Sequence, residues 1–133
     1  MRAIVATLVV TAAVIVSASE KAPAVFTKTM KDLNATTQAL RGDVNAKDHG
    51  AVAKDAAKLK ELFGTVEAFW KEKGVEDAVN FANTGLQAAT DLETAAKAKN
   101  DDDIAKASRA VGGTCMGCHT AHREKVGEGY EIK

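Results

Sequence analysis

Val111-Gly112-Gly113-Thr114-Cys115-Met116-Gly117-Cys118-His119 lies near the end of a 133-residue chain and holds both of its cysteines. On an α-helix, positions i and i+3 lie about 60° apart around the axis and i+4 returns nearly above i. The two thiols and the imidazole therefore share one face. Cys-x-x-Cys-His is the attachment pattern of a c-type haem. The thiols reach the vinyl groups of neighbouring pyrrole rings as thioethers, and the imidazole offers a ring nitrogen to the iron. Two other chemistries use the same thiol pair. A dithiol redox pair wants a strand-to-helix setting, which the surrounding residues do not offer. A structural zinc site takes four ligands as a rule, and His49 and His122 would have to complete the set. A final helix carrying this motif fixes what the rest of the chain must do, which is to close around it.

Working outward, the other end of the chain bears on the same chemistry. Met1-Arg2 is a short basic start, Ala3 to Val16 is uncharged and apolar, and Ser17-Ala18-Ser19 precedes Glu20-Lys21. This is the form of a secretory signal peptide; the run is short for a spanning helix, which needs about 20 apolar residues, and an uncleaved anchor is the alternative. Cleavage after Ala18 or after Ser19 fits, the latter preferred, giving a signal peptide over 1–19 and one domain over 20–133. Covalent haem attachment takes place in bacteria outside the cytoplasmic membrane, so export to the periplasm and haem attachment support each other. The compartment is oxidising and would favour a disulfide without haem. The 18 basic and 18 acidic residues balance, and no basic patch argues for nucleic acid.

Between the two ends the pattern is helical. Phe26, Met30, Leu33, Thr37 and Leu40 recur every three or four residues after Pro23, predicting a first helix that closes at Arg41-Gly42. Asp48 opens a second, with Val52, Ala56, Leu59 and Phe63 as its stripe, ending near Gly64; Thr65 to Gly74, with Phe69-Trp70, reads as a connection. A third runs from about Val75 to Lys99, and a fourth from the cap Asn100-Asp101-Asp102-Asp103 to about Val126, with a frayed tail beyond it. No β-branched alternation is evident. The fold class is all-α, an antiparallel four-helix bundle. Its stripes are rich in alanine and bury little area, so a covalently bound haem would supply missing apolar volume.

With these elements in hand, the chain resembles the class II c-type cytochromes, the cytochrome c′ family. The likeness rests on Val111 to His119 in the last helix, on Arg123 four residues after the histidine, and on Phe69-Trp70 ahead of the third helix. It spans the whole mature chain. His122 stands where the family often has an aromatic, and the link between the second and third helices is short. The resemblance implies one haem c per chain, with Cys115 and Cys118 as tethers and His119 as proximal ligand. It also implies two kinds of distal site: one left open, five-coordinate and able to bind NO or CO, the other filled by a first-helix methionine. Met30 resembles that methionine, although the basic residue often found a few positions earlier is not evident. Arg123 is placed to approach a propionate or the imidazole, or is simply a solvated arginine.

The expected function is that of a periplasmic mono-haem electron carrier with His/Met ligation, and not an enzyme, since no paired carboxylates or nucleophile–base constellation is discernible. The alternative is a five-coordinate module for NO or CO. Its partners would be redox proteins; family members are dimers or monomers, and the chain should be soluble once the signal is removed. Lys28, Lys31, Lys54, Lys58 and Lys60 are candidates for a docking face.

Overall fold

The computed structural model describes residues 18–133; the proposed signal peptide lies almost wholly outside them. Four helices succeed one another, α1 (Ala24–Asn45), α2 (His49–Lys73), α3 (Glu76–Lys97) and α4 (Asp101–His122), and they pack together as a bundle. A short hairpin closes the chain, β1 (Arg123–Val126) and β2 (Gly129–Ile132).

Helix starts are set by the caps. The Asp48 carboxylate accepts from the Ala51 N–H, and the Asn100 side chain accepts from that of Asp103. Three acids in the first turn of α4, Asp101 to Asp103, suit the positive end of the helix dipole. Each stripe reaches the core: Leu40, Leu59, Leu92, Val52 and Val111 are the largest fully buried side chains. The buried faces of α3 are made largely of small residues, Ala78, Ala82, Ala88, Ala89, Ala95 and Ala96, which let its neighbours come close. At Gly85 of α3 the Phe63 ring of α2 comes so close that a Cβ would lie 2.4 Å from it. That contact explains a glycine inside a helix, which otherwise costs about 1 kcal/mol relative to alanine.

Three expected boundaries are corrected. The first helix does not close at Arg41-Gly42 but runs one turn further, to Asn45, with Ala46 as its cap. The second helix does not stop near Gly64; it runs on through Thr65–Lys73, burying Val66 and Trp70, and ends at Gly74 with φ +70°. Packing of those side chains outweighs the local cost of Gly64, and the left-handed glycine is the real stop. The fourth helix ends at His122 rather than Val126, because Arg123 is already extended. What reads as a frayed tail is an antiparallel hairpin with Val126 opposite Gly129, turning on Gly127 at φ +59°. A two-residue loop with glycine first suits the twist of paired strands. Ile132 is buried, and its backbone exchanges two hydrogen bonds of 2.8 Å with Glu20. The hairpin is thereby tied to the chain just ahead of α1.

Candidate functional site

The stripes of α1 and α4 change character over the same stretch of the bundle. α4 buries Ile104, Ala107, Val111 and Thr114, whereas Cys115, Cys118 and His119 beyond them are only half-buried. Opposite, Met30 of α1 is half-buried between the buried Phe26 and Leu33. The two helices barely meet, and the space between them is hollow. A cavity of about 460 Å³ is lined by Met30, Cys118, His119, Trp70 and the hairpin residues Tyr130 to Ile132. A second of about 620 Å³ is lined by Met30, Cys115, Met116, His119 and Arg123. Between them a pinch of about 30 Å³ joins Met30, both thiols and His119 to Phe63, Val66 and Phe81. Each large cavity lies within the range of small-molecule and cofactor sites.

Sequence reading thus names residues that the fold brings together. Met30 and His119 line all three spaces, each thiol lines two, and Arg123 lines both large ones. Met116, between the two thiols on α4, is 74% exposed at the rim of the second cavity. His49 is elsewhere: its Nε2 lies 2.8 Å from the Asp101 carboxylate where α2 and α4 begin. It cannot complete a four-ligand set with the two cysteines, and no cluster of three or more metal-ligating side chains occurs among the described residues.

The walls are mostly apolar and aromatic. Phe26 and Phe69 stack at 4.0 Å between centroids, Trp70 stands edge-on to both, and the His122 ring lies 5.1 Å from that of Trp70. The His122 side chain is 12% exposed, and its Nε2 pairs with Asp77 at 2.8 Å. It belongs to the cavity wall and not to the open surface. Gly117 makes room for Phe81, whose ring would lie 2.7 Å from a Cβ there. These wall residues, Phe81 and the hairpin above all, are what sequence reasoning missed. A two-residue loop beginning with glycine, Gly127-Glu128, was the signal for the hairpin.

Electrostatics sort the groups. Both thiols are free. Burial pushes the Cys115 thiol up. Burial, then the charges of Cys115 and Asp77, push Cys118 up to about 11. Dithiol oxidoreductases depend on the opposite, a depressed thiol that supplies thiolate. Burial, then the Arg123 charge, holds His119 below its ordinary value. Burial thus favours the neutral imidazole, the form whose lone pair can bind a metal.

The residues suit a haem. Two thiols and a neutral imidazole open onto a slot walled by Phe, Val, Leu and Met side chains, and the Trp70 indole N–H in the wall is buried without a partner among the described residues. Buried donors are as a rule satisfied, and a porphyrin brings carboxylate acceptors. Of the five lysines that were candidates for a docking face, Lys28, Lys58 and Lys60 pair with Asp32, Glu61 and Glu93. No protein-family model and no curated protein matches the chain.

Proposed function

We propose that the chain is an exported mono-haem c-type cytochrome of the class II kind, working as a periplasmic electron carrier. Cys115 and Cys118 would tether one haem c, and His119 and Met30 would hold its iron. The observation that carries this reading is the convergence of Met30 from α1 and His119 from α4 on the same spaces, with both thiols alongside. The motif in the last helix of a four-helix bundle and the export-like start of the sequence support it further.

When bound, the haem supplies a one-electron ferric/ferrous couple. The chain's residues set the conditions for it. His119 presents a neutral imidazole, positioned by its place on the α4 stripe. Met30 offers a neutral thioether, a ligand that favours the ferrous state and raises the potential relative to a second imidazole. Phe63, Val66, Phe81 and Leu33 exclude water from the slot. Arg123, shared by both large cavities, is placed to offset propionate charge.

The test is direct. The mature chain, made in a host that installs c-type haem, should weigh one haem more than its polypeptide and give a low-spin spectrum in both oxidation states. CO added to the reduced protein should bind Met30→Ala and leave wild type unchanged. Rapid binding by wild type would overturn Met30 ligation and favour the five-coordinate NO- or CO-binding module; a mass without haem would overturn both.

A further inference from the structure

The chain as a whole is balanced in charge, yet the rim of the α1–α4 opening is not. Around the 620 Å³ cavity stand Arg41, Arg123 and Lys125, with no carboxylate among the lining residues. Lys31 joins them on the neighbouring cavity, where the one acid, Glu131, accepts a hydrogen bond from the Ser19 hydroxyl. None of these four cations forms an ion pair among the described residues, whereas seven lysines elsewhere do.

The same rim gathers exposed apolar groups. Of the four large hydrophobic side chains exposed among the described residues, Met116 and Tyr130 line this cavity and Val126 belongs to the same hairpin. The Arg123 guanidinium lies over the Tyr130 ring, 4.1 Å from its centroid, which holds the cation at the opening. A small apolar centre within a ring of one sign is the build of a transient, electrostatically steered interface. Arg41 lies three turns along α1 from Met30, about 16 Å, so the ring is broad enough for a protein surface. A bound haem brings two carboxylates, which do not exhaust four cations.

We propose that this rim docks the electron-transfer partner, a redox protein that presents carboxylates around its own exposed centre. The proposal rests on the haem reading above and names the face through which the electron leaves. A lipid surface is disfavoured, because the exposed apolar groups are isolated side chains from a helix and a hairpin. Membrane-surface helices offer a continuous apolar face instead.

The test uses the reduced holoprotein and ferricyanide, a small anionic oxidant. Oxidation at low ionic strength should slow several-fold in Arg41→Glu and in Lys125→Glu, and the difference should vanish at high salt. Lys106→Glu, which reverses an exposed charge of α4 outside these cavities, should leave the rate unchanged. Tris(phenanthroline)cobalt(III), a cation, should show the opposite trend. Poly-L-glutamate should slow ferricyanide oxidation of wild type and spare the Arg41→Glu, Lys125→Glu double variant. Equal effects of the Lys106 and rim reversals, or none from either, would overturn the proposal. So would sedimentation with phosphatidylglycerol vesicles that the reversals abolish while poly-L-glutamate has no effect. Failure of the haem reading looks different, since a chain without haem has no absorbance band to track.

Discussion

The α2–α3 seam and the α1–α4 seam are built from the same kinds of helix to opposite ends. In the first, the small residues of α3 let its neighbours come close, Gly85 meets Phe63, and Leu59 and Leu92 are fully buried. Along the second, Leu40, Ile104 and Val111 are buried, whereas Met30, Cys118 and His119 line an open space. Apolar patterning alone would make four equal seams. The difference lies in which side chains occupy the facing positions: small residues let two helices approach, whereas a methionine facing two thiols and an imidazole holds two helices apart over a usable space. One half of the bundle is thus a self-sufficient scaffold and the other a cleft that wants filling.

Removing the proposed haem is the most severe way to break that contrast. In the Cys115→Ala, Cys118→Ala double variant, amide hydrogen exchange should become fast along α1 and the last turns of α4. Exchange along α2 and α3 should stay much slower, with helical circular dichroism largely retained. A thermal transition as sharp as that of the holoprotein would refute a cleft that depends on its cofactor. Next comes damage to the scaffold itself. Leu92→Ala should cost about 2–5 kcal/mol, read by denaturant unfolding of the holoprotein. Met30→Ala, at a half-buried position in the cleft, should cost clearly less while changing the spectrum. Equal costs would mean that the two seams are packed alike.

Gly85→Ala sharpens the comparison from another side. Helix propensity favours alanine by about 1 kcal/mol, yet the new methyl would meet the Phe63 ring at 2.4 Å. Overpacking of this kind costs about 1–3 kcal/mol, so net destabilisation is expected. A gain in stability would show that the seam has slack.

Much of this architecture was readable in the residues, and the misses share a cause. Stripes such as Val52, Ala56, Leu59 and Phe63 are periodic, so burial could be read directly from spacing. Met30, Cys115, Cys118 and His119 could be named because their side chains carry distinctive chemistry. Boundaries failed where local propensity and tertiary packing disagree. Gly64 looks like a stop, but Val66 and Trp70 find partners beyond it and the helix continues. The hairpin failed for the reverse reason: its strands are exposed apart from Ile132 and half-buried Glu131. Their order comes from pairing with each other and with Glu20, which no pattern within either segment reveals. His122 also needed the fold, because Asp77 and Trp70 lie far from it in sequence.

The mildest probe concerns how α1 is fastened on its closed side. Asp55 of α2 is pushed up to about 6, first by burial and then by the hydrogen bond with and charge of Asp43 on α1. One of its carboxylate oxygens is buried with no partner among the described residues. A carboxyl raised in the folded state binds its proton more tightly there than in the unfolded chain. Its contribution is therefore fullest below the ordinary carboxylate range and is lost as pH rises through about 6. Glu93 runs the other way: hydrogen bonds from Lys97 and Lys60 lower it to about 2, so its contribution is full above the ordinary carboxylate range and is lost as pH falls through about 2. Between these limits Asp55 is the group that moves. Asp55→Asn should leave the melting temperature nearly unchanged at pH 4 and raise it by a few degrees at pH 7.5, flattening the decline that wild type shows across that interval. A parallel decline in the variant would mean that the α1–α2 contact does not sense this proton, and that α1 is anchored by its apolar stripe alone.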